Sequence, residues 1–223
     1  GGVAVFAGFF AALLYAGFAT GYLARGAQPR LAYWATLGCA AAAMFALGLV
    51  DDIVGVGFKW KFVFQILAAS AVWVGGFRVQ VLSLPGSSHP LDLGVLSLPI
   101  TLLWIVGITN AINLIDGLDG LAAGTALITT VAVALVAFKM GQPGVVGVSV
   151  ALVGSLLGFI RFNFNPAQIF LGDSGSNFLG FLLSVASIHG SQKGPTAVAV
   201  LVPLLVLGFR SSTPASRSSG DST

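Results

Sequence analysis

Asn110, Asn113 and Asp116 recur every third residue in Asn110-Ala-Ile-Asn-Leu-Ile-Asp-Gly-Leu-Asp-Gly-Leu-Ala-Ala-Gly124, at the end of an apolar run. On a helix that spacing draws one slowly drifting stripe of oxygen donors. Gly117 and Gly120 then break the helix, and Asp119 sits in the break. Capping a helix takes one such residue rather than four, and polar groups this dense are costly at a bilayer. Carboxylate and amide oxygens at helical spacing suit a hard cation. Mg²⁺ takes few protein ligands, keeps waters and commonly shares substrate phosphates.

Two more clusters carry chemistry. In Gly48-Leu-Val-Asp-Asp-Ile-Val-Gly-Val-Gly57 the neighbours Asp51 and Asp52 cannot both ionise cheaply without a cation nearby. Lys59 and Lys61 follow closely. In Arg161-Phe-Asn-Phe-Asn-Pro-Ala-Gln-Ile-Phe-Leu-Gly-Asp-Ser-Gly-Ser176, Asp173 lies between Gly172 and Ser174, just before an apolar helix. Gly172, Ser174, Gly175 and Ser176 leave backbone N–H groups open there, and such a helix start attracts phosphate. Arg161 is a planar anion clamp on the same face, and Phe162, Phe164 and Phe170 stand ready to stack a base or pack at the interface. Together the three clusters fit a diphosphate held by metal, that is, phosphoryl-group chemistry. A Cys/His ligand cluster is missing, which argues against zinc or copper. The sequence also lacks a Gly-x-x-x-x-Gly-Lys-Ser/Thr loop and a Gly-x-Ser-x-Gly elbow.

The elements that must position these residues are membrane helices. The chain has 223 residues, 57% hydrophobic and 8% charged, where a soluble domain carries about 25% charge. Its mean hydropathy is +0.98. A net charge of +3, scattered along the chain, argues against nucleic acid. The lone Cys39 can form no internal disulfide. Apolar runs predict eight spans, near 3–23, 31–50, 62–77, 98–115, 121–138, 144–160, 175–190 and 195–209. Only helices or closed barrels satisfy their backbone in lipid. The fold class expected is therefore all-α: a polytopic membrane helix bundle of about eight transmembrane helices over residues 1–209. Residues 78–97, with alternating Val and Leu around Pro85-Gly-Ser-Ser88, predict a small β-hairpin near 79–96 outside the membrane. His89 and Asp92 lie on it as turn residues, and His189 falls late in a span as a packing residue. The Ser-rich tail 210–223 reads as disordered.

Eight spans fix sidedness by parity. Residues 51–61, 116–120, 161–174 and the tail share one face; 24–30, 78–97, 139–143 and 191–195 share the other. Asp51, Asp52, Asp116, Asp119 and Asp173, five of the chain's seven acidic residues, then gather on the first face beside span ends. Lys and Arg divide five to five, so the positive-inside rule leaves orientation open.

Three stretches carry a resemblance: Val50-Asp-Asp-Ile-Val-Gly, Asn110-Ala-Ile-Asn-Leu-Ile-Asp-Gly-Leu-Asp-Gly-Leu-Ala and Phe164-Asn-Pro-Ala-Gln-Ile-Phe-Leu-Gly-Asp-Ser-Gly-Ser. In that order they resemble the polyprenyl-phosphate N-acetylhexosamine-1-phosphate transferases, glycosyltransferase family 4. The resemblance runs from Gly1 to about Gly208, and within it the branch making undecaprenyl-diphospho-GlcNAc is the nearer. It implies transfer of a sugar-1-phosphate from a UDP-N-acetylhexosamine to a membrane polyprenyl phosphate, with release of UMP. It also implies a Mg²⁺ cofactor, with Mn²⁺ as an alternative, and a multi-pass protein of the inner (plasma) membrane whose site faces the cytoplasm. A homodimer is one assembly open to it. Carried over by position, Asp51, Asp52 and Asp116 would be catalytic, the first two meeting the polyprenyl phosphate. Asp173 and Asn113 would hold the metal. Asn110, Asp119, Arg161, Asn165 and Lys59 would line the substrate site.

The sequence departs from the family at both ends. The first helix and a Pro-Arg loop are missing before Gly1, and after Gly208 a Ser-rich tail replaces a His- and Arg-rich loop. The chain reads as a stretch of a longer protein, and activity is expected to need the missing parts. The rival readings are the phospho-MurNAc-pentapeptide branch of the same superfamily, an ion path, which predicts carboxylates spread through the bilayer depth, and a non-catalytic membrane fragment.

Overall fold

The computed structural model describes residues 1–19, 28–82 and 91–191. Seven long helices occupy them: α1 Gly2–Ala19, α2 Gln28–Val54, α3 Phe58–Val74, α4 Ser97–Ile115, α5 Leu121–Lys139, α6 Pro143–Asn163 and α7 Gly172–Ser191. They coincide with the first seven predicted spans. The eighth, 195–209, lies outside the described residues, as do His89, the side chain of His189 and the tail. Five stretches have the length and apolarity to cross a membrane: Gly2–Ala19, Ala32–Val54, Gly94–Ile115, Leu121–Lys139 and Pro143–Asn163. The protein is a multi-pass, all-α membrane bundle. Helix α3, at 17 residues, is just short of a crossing length, and α7 opens on Asp173 and a run of Ser and Asn that lowers its apolarity.

The least apolar helix is the central one. Helix α7 packs against α1, α2, α4 and α5, burying Phe178, Leu179, Phe181, Leu182, Leu183, Val185 and Ile188 together with Ser174, Ser176, Asn177, Ser184 and Ser187. In lipid, Leu and Phe gain nothing by leaving the hydrocarbon, whereas small and polar side chains gain packing and hydrogen bonds from neighbouring helices. The exposed apolar side chains follow the same logic. Leu14 and Phe18 on α1, Phe64 and Leu67 on α3, Ile128 and Leu135 on α5, and Val150 and Leu157 on α6 look outward, as lipid-facing positions should.

Among the described residues, the two arms of the predicted hairpin pair. Strand β1 (Val81–Leu82) pairs antiparallel with β2 (Leu91–Asp92), with Val81 opposite Asp92. Asp92 Oδ1 accepts the Gly94 N–H at 3.0 Å, an ordinary turn contact. The hairpin's root is seated on α4 by the Val79 N–H, which donates to Thr101 Oγ1 at 3.0 Å.

One close approach fixes the site. A Cβ on Gly48 would collide with the backbone of Asp173 and Ser174. Gly48 therefore lets α2 reach the first turn of α7, and Asp51 and Asp52, three and four residues on, share its helical face. We expect Gly48→Val to force the two helices apart at about 2–3 kcal/mol, the scale of overpacking against an unyielding backbone. A lowered thermal midpoint in detergent checks this, and an unchanged midpoint contradicts it.

Candidate active site

All the span-end polar clusters of the first face meet at one pole of the bundle. Helix α2 brings Asp51 and Asp52, the start of α3 brings Lys61, the end of α4 brings Asn113 and Asp116, and α7 opens on Asp173. Lys61 Nζ sits between two carboxylates, paired with Asp51 Oδ2 and 2.9 Å from Asp173 Oδ2. The Asp51 side chain is 5% exposed, and its other oxygen accepts the Val56 N–H at 2.6 Å. Asn113 Nδ2 donates to Asp173 Oδ1 and, at 2.8 Å, to Ser176 Oγ. The odd parity that would have put Asp52 and Asp173 on opposite faces is excluded. Among the described residues these carboxylates lie at one end of the bundle and not along its depth, which counts against an ion path.

Asp52 does what an anionic ligand was expected to do. Its two oxygens accept the Asp173 N–H at 2.8 Å and the Ser174 N–H at 3.0 Å. It caps α7 from another helix, where the partial positive charge of the helix start favours it. The Gly172 N–H donates to the Asp116 carboxylate. Of the four N–H groups expected to stand open for phosphate, those of Ser174 and Gly172 are engaged, by Asp52 and Asp116. Gly172 is needed here, since its φ is +75° and a Cβ would lie 3.0 Å from Asp52 Oδ2.

A second polar link lies beside the first. Asp119 Oδ2 accepts the Ala167 N–H at 3.0 Å and Asn165 Nδ2 at 3.3 Å, tying the α4–α5 turn to the α6–α7 loop. Asp119 and Asn165 thus come together as a pair. Asn163, which the sequence reading passed over, is buried and donates from Nδ2 to the Ile169 carbonyl at 2.9 Å, holding the same loop in shape.

Three predicted substrate residues are placed differently. Asn110 lies a turn deeper on α4, where Nδ2 donates to Gln65 Oε1 at 2.7 Å and to the Val106 carbonyl at 2.8 Å. Its NH₂ group is committed to these two acceptors, and the residue is half-buried. Lys59 is exposed, its ammonium 6.0 Å from the Phe58 ring centroid. Lys61, which the sequence offers with Lys59 as a nearby cation for Asp51 and Asp52, is the lysine inside the cluster. Arg161 is exposed on the last turn of α6.

The electrostatics follow from this crowding. Burial pushes the Asp116 carboxyl up to about 7, the Gly172 N–H pulls it back, and the charges of Asp173 and Asp52 raise it further. A raised folded-state pKa means that the folded protein holds a proton the unfolded chain has released. This contribution to stability is present below the ordinary carboxylate range and is lost as pH rises through about 7. A cation has the opposite preference. We expect Mg²⁺ to bind more tightly as pH rises from 6 to 8, and Asp116→Asn to flatten that dependence. A Mg²⁺ titration at several pH values checks it, and a parent profile already flat contradicts it.

The donor set fits a hard cation. It consists of carboxylate and amide oxygens, and it already gathers one positive charge, the Lys61 ammonium, between Asp51 and Asp173. Among the described residues no three acidic, His or Cys side chains are grouped so as to hold an ion unaided. Mg²⁺ does not require that, because it completes its shell with water and phosphate oxygens.

A family model described as glycosyl transferase family 4 matches residues 34–191, from α2 to the end of α7. The chain belongs to glycosyl transferase family 4. A relative from Bacillus subtilis (strain 168), named a probable undecaprenyl-phosphate N-acetylglucosaminyl 1-phosphate transferase, is 38% identical over 208 residues, covering 93% of this chain and 55% of the relative. A phospho-N-acetylmuramoyl-pentapeptide-transferase from Anoxybacillus flavithermus is 43% identical over 148 residues, covering 60% of this chain and 45% of the relative. A protein of that same name from Halalkalibacterium halodurans is 36% identical over 159 residues, covering 66% and 49%. The chain spans about half the length of the curated relatives it matches.

Proposed function

We propose that this chain forms the catalytic membrane core of a family 4 enzyme that moves a sugar-1-phosphate from a UDP-N-acetylhexosamine to a polyprenyl phosphate, releasing UMP. GlcNAc-1-phosphate is the group favoured. The observation that carries the reading is the meeting of Asp51, Asp52, Asn113, Asp116 and Asp173 about the start of α7, with Lys61 between Asp51 and Asp173, at one end of an otherwise apolar bundle. A soluble diphosphate donor and a lipid-anchored phosphate acceptor can meet only at a membrane surface, and that is where a charged cluster at a helix pole lies. The relative from Bacillus subtilis, matched along nearly all of this chain, supports the same reaction class.

In the reaction, an oxygen of the acceptor phosphate attacks the phosphorus that carries the sugar. The bond from that phosphorus to the UMP oxygen breaks, and UMP leaves with the electron pair. The acceptor is a phosphate monoester, mostly dianionic at neutral pH, so direct attack needs no covalent aspartyl intermediate. Asp52 is exposed beside the start of α7 and can take the proton from the monoanionic fraction. Asp173, with Asn113, would hold Mg²⁺, which supplies charge neutralisation of the diphosphate when bound. Lys61 offsets negative charge next to the same oxygens. Asp119 and Asn165 border the cleft where the nucleotide end of the donor fits, with Arg161 and Lys59 on an outer rim that attracts anions. The cleft faces the cytoplasm in this reading, since nucleotide sugars are made there.

The test is UMP release by the purified protein, assayed with whatever sequence flanks these 223 residues in its gene. Polyprenyl phosphate, Mg²⁺ and either UDP-GlcNAc or UDP-MurNAc-pentapeptide are supplied in parallel. Release with UDP-GlcNAc supports the reading. Release only with the pentapeptide donor moves the chain to the other branch, and release with neither donor contradicts the transferase.

A further inference from the structure

Directly beneath the charged layer, three amides, two buried and one half-buried, join the same three helices. Gln65 lies four residues after Lys61 on α3, Asn110 three before Asn113 on α4, and Asn177 four after Asp173 on α7. Each amide is therefore one helical turn below a group of the site. Asn110 Nδ2 donates to Gln65 Oε1 at 2.7 Å. Gln65 Nε2 donates to Asn177 Oδ1 at 3.1 Å. Asn177 Nδ2 donates to the Asp173 carbonyl at 2.8 Å. Gln65 is 2% exposed and Asn177 1%, so the bond between them is shielded from bulk water.

The direction of the chain is forced. A carbonyl only accepts, so Asn177 must aim its NH₂ at Asp173 and its oxygen at Gln65. Gln65 must then present its NH₂ to Asn177 and its oxygen to Asn110. At the far end Asn110 aims its NH₂ at the Val106 carbonyl as well, which agrees with that order. All three amides have one consistent arrangement, and sliding any of the three helices by one residue breaks it.

We propose that Gln65, with Asn110 and Asn177, is a positioning residue that sets the depth of α3, α4 and α7 so that Lys61, Asn113 and Asp173 meet. Its consequence for turnover rests on the transferase reading above; its consequence for the Lys61 contacts does not. Isolated interhelical hydrogen bonds hold bundles together one pair at a time and contribute modestly. Here each bond also fixes the height of a site group one turn above it, so the amide layer and the charged layer are energetically coupled. Neighbouring groups in one network give non-additive substitutions, and independent ones add.

The experiment combines Gln65→Met, which keeps length and bulk but makes no hydrogen bonds, with Lys61→Met in a double-mutant cycle on thermal midpoints in detergent without nucleotide. The cost of Lys61→Met is expected to fall by at least half in the Gln65→Met background. In the UMP-release assay Gln65→Met is expected to lower kcat by about tenfold or more, the scale of an ångström-sized misplacement, with KM for the UDP-sugar within about threefold of the parent. If the parent releases no UMP, the transferase reading fails while the thermal cycle still decides the coupling. If Gln65→Met does not fold, Asn110→Leu, which leaves the Gln65–Asn177 bond intact, must show the same coupling with Lys61→Met. Additive thermal shifts, or a kcat within twofold of the parent in an active enzyme, overturn the proposal.

Discussion

Asp173→Asn is expected to abolish transfer while leaving the protein folded. Asp173 accepts from Asn113 and Lys61 and is the carboxylate that Mg²⁺ would share with the donor. An amide of the same size is a poorer ligand for a hard cation. Losing that anchor should cost at least about a thousandfold in rate, roughly 4 kcal/mol of transition-state stabilisation. The fold should survive, because α7 is capped by Asp52 through backbone N–H groups that the substitution does not touch. The measurement pairs turnover with a Mg²⁺ titration and a thermal midpoint. Unchanged turnover and unchanged Mg²⁺ dependence would reduce Asp173 to a helix-start residue.

Lys61→Met is the second large effect, and it acts on stability and activity together. Lys61 is the cation paired with the nearly buried Asp51. Removing one partner of such a pair leaves an uncompensated carboxylate, at a cost of about 3–5 kcal/mol. Adding Asp51→Asn to Lys61→Met removes the orphaned charge, so the double variant should recover most of the lost stability. Activity should not return, because the site still lacks the charge that faces Asp173. Thermal midpoints of the two variants and the parent decide it. A single variant as stable as the parent would show that Asp51 draws its balance from elsewhere.

The bundle was legible because lipid imposes a simple rule. Apolar runs long enough to cross must be helical, and parity then delivers every other connector to the same side. That argument alone gathered Asp51, Asp52, Asp116, Asp119 and Asp173 on one face, and the structure joins four of them at the start of α7, with Asp119 on a separate link to the α6–α7 loop. Depth and rotation around each helix were not legible by the same means. The stripe Asn110–Asn113–Asp116 climbs about 4.5 Å at each step, so Asn113 and Asp116 reach the charged layer while Asn110 stays below it. Lys59 and Lys61 look equivalent in the sequence, yet two residues are about 200° apart on a helix. A signal did exist: Gln65 is a polar residue in an apolar run, which marks the inward stripe, and Lys61 is one turn before it on that stripe. The capping of α7 by Asp52 had no local signal, since it depends on Gly48 allowing two helices that are distant in sequence to touch. Arg161 was read from its type and connector alone, and its position on the last turn of α6 turns it outward.

The account rests on one claim, that this pole of the bundle passes a sugar-1-phosphate from a nucleotide to a lipid. UDP-GlcNAc labelled with ³²P on the phosphate next to the sugar tests it most directly. Incubated with the protein, polyprenyl phosphate and Mg²⁺, the label is predicted to move into the solvent-extractable lipid in step with UMP release, and to stay in UDP-GlcNAc with Asp173→Asn. Label appearing instead as free sugar phosphate or inorganic phosphate, or reaching the lipid equally well in the Asp173→Asn variant, would contradict it.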